Sequence, residues 1–118
     1  MILADTSVWI DHLRQGNEQL NSLLSEGAVV CHPFVVGELA CGNLSNRDEI
    51  LTLLRVLPTA DVASDDEVLS FVERHKLHGQ GLGWVDVHLL ASAMLSKCSL
   101  WTLDKSLARA ARRLKLSA

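Results

Sequence analysis

A three-layer α/β/α fold around a central parallel sheet of about four to five strands is predicted for this chain of 118 residues. Three observations carry that reading. Short apolar runs alternate with longer segments whose apolar residues recur at helical spacing. Helix starts and stops separate them, notably Gly27, Pro33, Pro58 and the acidic run Ser64-Asp65-Asp66-Glu67. No repeat, linker or low-complexity stretch interrupts the alternation, so residues 1–118 are expected to form one domain. Strands alternating with helices imply a parallel-type sheet covered on its faces.

Met1–Ala4 reads as a short buried strand. Val8, Trp9, Ile10 and Leu13 follow at helical spacing, with Thr6 or Ser7 as the cap. Leu20, Leu23 and Leu24 continue that spacing until Gly27 stops it. Ala28–Cys31 is the second strand. Pro33 suits the first turn of a helix through about Leu44. Ser45 or Asn46 caps the next helix, carrying Ile50, Leu51, Leu53, Leu54 and Leu57 and ending at Pro58. Thr59–Ala63 is a third strand candidate. The acidic turn at Ser64–Glu67 opens a helix through about His78, since carboxylates favour a helix N-terminus. Gly79–Gly83 is a loop, Trp84–Lys97 the most apolar helix, Leu100–Leu103 a strand and Lys105–Lys115 a helix.

The apolar fraction of 48% and charged fraction of 21% describe an ordinary globule rather than a disordered segment. A net charge of −3 excludes a basic nucleic-acid-binding module. It does not exclude a nucleic-acid substrate, because bound divalent cations reverse the field of clustered acids locally. An aromatic content of 4%, with no Tyr, argues against a stacking platform for single strands. Cys31, Cys41 and Cys98 are odd in number and widely spaced, and read as small buried hydrophobes in a reducing compartment. No basic-then-apolar leader opens the chain, and no apolar run approaches the ~18 residues that span a membrane. A cytoplasmic protein is expected.

Four acids, Asp5, Glu38, Asp86 and Asp104, stand in predominantly apolar stretches. Desolvating a lone carboxylate costs several kcal/mol unless a partner or metal offsets it. Their recurrence in core-like segments points to one shared charged site. In parallel sheets ligands bind beyond the carboxyl ends of strands, where Asp5 and Asp104 fall. Capping alone would account for Asp5 or Asp104, and the helix dipole for Asp86. Glu38 shares its helix with Phe34, Val35 and Leu39, so its side chain is not expected to point simply to water.

Other features are less specific. Gly79, Gly81 and Gly83 suggest a phosphate cradle, but they follow a helix and lack a Gly-Lys-Ser/Thr ending, which favours a plain connector. The histidines at 12, 32, 75, 78 and 88 form no zinc-binding pair, and His75 and His78 read as solvated. Lys105, Arg109, Arg112, Arg113 and Lys115 crowd the last helix opposite a Leu107–Ala111–Leu114 stripe. They form a solvated face or a phosphate rail.

The segments Ile2–Asp11, Val35–Leu39, Gly81–Ala93 and Leu100–Asp104 together resemble the four motifs of PIN domains, specifically VapC-type toxin ribonucleases of toxin–antitoxin pairs. One departure is visible at Lys115–Ala118, where many relatives continue into a final strand; here that strand is expected to be very short or missing. The resemblance implies a Mg²⁺- or Mn²⁺-dependent endoribonuclease silenced by a cognate antitoxin, with Asp5, Glu38, Asp86 and Asp104 as its acidic site. Asp5 and Asp86 would hold the principal metal. Thr6, Ser7 and Thr102 would assist through their hydroxyls, and Lys105, Arg109, Arg112 and Arg113 would hold substrate RNA. A homodimer is expected. Carboxylate oxygens suit hard cations, and metal-bound water suits in-line attack on phosphorus. An aspartate phosphotransferase is disfavoured because Ser7 stands where a second Asp is wanted. The alternative from another class is a catalytically silent PIN-like scaffold that acts by binding a partner.

Overall fold

The computed structural model describes residues 1–118. Its elements are β1 (Ile2–Ala4), α1 (Thr6–Gln15), α2 (Glu18–Ser25), β2 (Val29–Val30), α3 (Pro33–Ala40), α4 (Arg47–Val56), α5 (Asp65–His75), α6 (Trp84–Ser96), β3 (Ser99–Trp101) and α7 (Lys105–Arg113). The sheet runs β2-β1-β3, all parallel, with Ile2 opposite both Val29 and Ser99. Two single bridges extend it at either edge, Cys31 to Thr59 and Leu100 to Ser117. The third strand expected over Thr59–Ala63 is thus one rung wide. The final strand is present and equally short, held by Leu100 N–H donating to Leu116 O and Ala118 N–H to Leu100 O.

β1 is central and its Leu3 and Ala4 are fully buried. From β1 the chain moves outward through β2 to Thr59, then returns across β1 to β3 and on to Ser117. Right-handed crossovers in opposite directions place their helices on opposite faces of the sheet. The packing divides accordingly: α1 lies against α2 and α3, and α3 against α4, whereas α5 lies against α6 and α6 against β3. The strand order therefore reverses between β1 and β3, and the crevice at their carboxyl ends is where such folds bind ligands.

Several elements depart from their sequence-based expectation. The run from Val8 to Leu24 is two helices, because Gly16 at φ 80° breaks it and Asn17 caps α2 by accepting from Leu20 N–H. Asp5, not Thr6 or Ser7, caps α1. α3 stops at Ala40 rather than Leu44, and α5 at His75, where Lys76 takes a left-handed conformation. Asn46 precedes α4 in the left-handed region and makes no side-chain cap bond. Ser64 and Glu67 form a capping box at the helix start that the acidic run marked. α6 buries every residue from Val87 to Ala93, as a helix enclosed on all sides must. No helix is long and apolar enough to cross a membrane. Cys31 and Cys98 are buried, and burial pushes both thiols up; Cys41 is exposed, contrary to expectation, because α3 ends there.

Candidate active site

All four acids lie at the carboxyl-end crevice, and each is held by a local backbone feature. Asp5 directly follows β1, and its backbone N–H donates to Trp101 O of β3, tying the two strand ends together. The Asp5 side chain is 7% exposed. Its Oδ1 accepts from Thr6 N–H at 2.7 Å, and its Oδ2 from the hydroxyls of Ser7 at 2.8 Å and Thr102 at 2.7 Å. Those hydroxyls in turn accept backbone N–H bonds, Ser7 Oγ from Leu103 and Thr102 Oγ1 from Asp104. Three donors on a buried carboxylate hold it in one orientation.

Asp104 caps α7, its Oδ1 accepting from Leu107 N–H at 3.0 Å. Asp86 sits in the first turn of α6, its Oδ2 accepting from Gly83 N–H at 2.8 Å. Glu38 is on α3, and Thr6 Oγ1 donates to its Oε1 at 2.6 Å. One carboxylate oxygen of Glu38, Asp86 and Asp104 is left without a hydrogen bond in each case. Glu38 is exposed rather than enclosed by its helix, a correction to the face argument. In α3 the buried positions are Val35 and Leu39, so Glu38 lies off that stripe.

The carboxyl of Asp86 is pushed up from its ordinary value, first by burial and then by the charges of Asp5, Asp104 and Glu38. The four acids thus share one electrostatic neighbourhood. No Lys or Arg compensates them, since the only ion pair within 4.0 Å anywhere in the chain joins His88 to Asp65. Yet no three acids close into a cage tight enough to hold an ion directly. An oxygen-only donor set with gaps fits Mg²⁺ or Mn²⁺, because Mg²⁺ keeps several of its waters and binds through one or two carboxylates.

Two recesses of similar size open on the surface, and only the first reaches one of the acids. One, of about 390 Å³, is lined by Ile10, Leu13, Leu39, Leu44 and Ile50 and reaches Glu38. Trp9 is not part of it, being buried in the core. A cleft of like volume between α5 and α6 includes none of the four acids. On α7, Leu107, Ala110 and Ala111 are buried and Leu114 half-buried, while Lys105, Arg109, Arg112 and Arg113 are exposed.

His32 and His88, which form no zinc-binding pair, are the two histidines enclosed in the core, at 0% and 1% exposure. His32 caps α3, its Nδ1 accepting from Phe34 N–H at 2.9 Å. His88 Nε2 bonds Asp65 at 3.1 Å, and its ring packs on Phe34 and Trp84. The signal was available: His32 precedes Pro33 at an N-cap position, and His88 interrupts the most apolar helix.

An acidic crevice at the reversal point of a short parallel sheet defines the class, and the chain is a member of the PIN domain family, whose model matches residues 2–113. Over 108 residues it is 49% identical to Ribonuclease VapC32 of Mycobacterium tuberculosis, from both strain CDC 1551 / Oshkosh and strain H37Rv. That match covers 91% of this chain and 87% of the relative.

Proposed function

We propose that this protein is a metal-dependent endoribonuclease, the toxin of a toxin–antitoxin pair, with Asp5, Glu38, Asp86 and Asp104 as its active site. The observation that carries this is the gathering of Asp5, Glu38 and Asp104 around half-buried Asp86 at the strand ends, with no Lys or Arg paired to any of them. The 49% identity to a protein named as a ribonuclease supports the reaction. When bound, Mg²⁺ or Mn²⁺ supplies Lewis acidity at the phosphate and lowers the pKa of a coordinated water.

The chain's own residues prepare that site. Ser7 and Thr102 fix Asp5 between the strand ends, and Thr6 fixes Glu38. Asp5 and Asp86 hold the principal ion; Glu38 and Asp104 orient water or complete a second site. Lys105, Arg109, Arg112 and Arg113 attract the RNA backbone that the acids repel. The recess at Ile10, Leu13 and Ile50, also lined by Arg14, Asn43 and Ser45, receives an amphipathic helix of the antitoxin, from which a basic side chain reaches the acids. Arg suits that task because it pairs with carboxylates in bidentate fashion. The protein works in the cytoplasm as a homodimer.

The test is incubation of purified, partner-free protein with total RNA, with and without Mg²⁺, followed by mapping of the ends. New ends that require the metal are expected. A folded protein producing none would leave the silent PIN-like scaffold as the better reading.

A further inference from the structure

We propose that the glycine loop before α6 and one face of α7 form a single pocket for an RNA phosphodiester other than the one cut. This rests on the ribonuclease reading and narrows the diffuse basic face of α7 to a defined site. A cleft of about 420 Å³ is lined by Gly79, Gln80, Ser106, Arg109, Ala110 and Arg113. Arg109 and Arg113 are one turn apart and so share that face. Arg112 points elsewhere, into a recess with Trp101 and Thr102. Lys105 does not line the cleft either.

Two guanidiniums side by side repel each other, and neither has a carboxylate within 4.0 Å. Arg113 is nevertheless held in place, its Nη2 donating to His75 O at 2.7 Å, which leaves its other donors free. Gln80 is also fixed, its Nε2 donating to Lys76 O at 2.9 Å. The loop is drawn close to α7: Gly81 has φ 76°, and a Cβ there would stand 3.1 Å from Ser106 Oγ. Glycine takes that conformation without strain and leaves the Ser106 hydroxyl its place. Two arginines and a serine hydroxyl facing one cleft provide several donors, which match the oxygens of a phosphodiester.

Both walls of the cleft lead to the acids. The loop ends at Gly83, whose N–H donates to Asp86, and α7 is capped by Asp104. Arg109 and Arg113 stand roughly 7.5 and 13.5 Å along α7 from Asp104, at about 1.5 Å per residue. A phosphate held there is displaced from the acids along the same strand of RNA. The pocket therefore sets the register of the strand over the site.

The experiment walks a single neutral methylphosphonate through an RNA oligonucleotide containing the mapped cleavage site, with the full chain and its R109Q/R113Q variant in Mg²⁺. At one linkage away from the scissile bond, the substitution should raise the wild-type KM about tenfold, roughly the worth of one hydrogen-bonded charge pair. In the variant KM is already raised, and that linkage should bring no further penalty. The salt dependence should be shallower by about 0.7 in log–log slope, the loss of one single-strand phosphate contact. An unchanged KM in the variant, or penalties that add independently at every linkage, would overturn the pocket. A wild type that cleaves no RNA would instead overturn the ribonuclease reading. Equal urea midpoints for the two proteins exclude unfolding as the cause.

Discussion

Acidification should weaken this fold through His32. The ring is fully buried, and its Nδ1 accepts from Phe34 N–H. The proton of the neutral ring therefore sits on Nε2, which is buried without a partner. A second proton would have to enter at Nδ1, breaking the helix cap and placing a charge away from water. Burial first, and the facing His88 second, lower the pKa from 6.5 to about 4. For a base with a depressed folded pKa, the unfolded chain binds the extra proton between the two values. Stability is then complete above about pH 6.5 and falls as pH drops towards about 4, below which both states are protonated. The shift of about 2.5 units, at about 1.36 kcal/mol each, gives a loss of ~3 kcal/mol. That is a large share of the ~5–15 kcal/mol that holds a typical domain together.

Asp86 works in the opposite sense. Its carboxyl is raised, chiefly by burial, so its ionised form is disfavoured in the fold and protonation at low pH relieves that strain. Urea unfolding at successive pH values in EDTA would separate the two. His32→Asn keeps an acceptor for Phe34 N–H but removes the titration. It should be less stable at neutral pH, through lost packing, yet show a flatter profile between about pH 6.5 and 4. Asp86→Asn should steepen the loss at the acid end. If wild type and His32→Asn give parallel profiles, His32 is not the group that resists protonation.

Three further outcomes are expected. Asp5→Asn or Asp86→Asn should lower RNA cleavage at least ~100-fold while leaving the circular dichroism spectrum native; a variant cleaving at wild-type rate would remove that residue from the site. Millimolar Mg²⁺ or Mn²⁺ should raise the melting temperature by about 4–8 °C and EDTA should lower it, since a ligand of the native state alone contributes ~1 kcal/mol at modest excess over Kd; an unmoved transition would count against the site. Co-expression with a cognate antitoxin should yield a complex without RNA cleavage, and Ile10→Asp with Leu13→Asp should prevent it forming; a co-purifying complex that still cleaves would refute the pocket-plugging contact.

The four acids were legible because a carboxylate in an apolar run is costly and therefore conspicuous. The three hydroxyls were legible only as a group. That Ser7 and Thr102 serve Asp5 while Thr6 serves Glu38 depends on β1 and β3 lying side by side, which no local pattern encodes. The error over Glu38 came from treating α3 as apolar all round, when only Val35 and Leu39 carry its burial. The one-rung pairings at Thr59 and Ser117 were hidden for a related reason: strand length is set by the neighbour's register, not by the propensity of the strand itself. His32 and His88 were missed because a search for metal-binding spacing passes over histidines used as neutral, buried donors and acceptors.

Capping and the proposed active-site role, opposed in the sequence, are compatible in this structure. Asp5 caps α1, Asp104 caps α7, and Asp86 closes the first turn of α6 on Gly83. Each cap bond engages one carboxylate oxygen with a backbone N–H whose place is fixed by a helix. In Asp86 and Asp104 the second oxygen is left without a partner, and in Asp5 it is gripped by two hydroxyls. Helix N-termini favour carboxylates through the dipole, which offsets part of the repulsion among four acids before any cation arrives. Losing a cap typically costs ~1 kcal/mol, whereas the proposed metal role requires the carboxylate itself. Asp→Ser at position 104 separates the two effects. Serine caps as well as aspartate, so stability should be nearly unchanged, while metal-dependent cleavage should fall. Retained cleavage in that variant would confine Asp104 to its structural role.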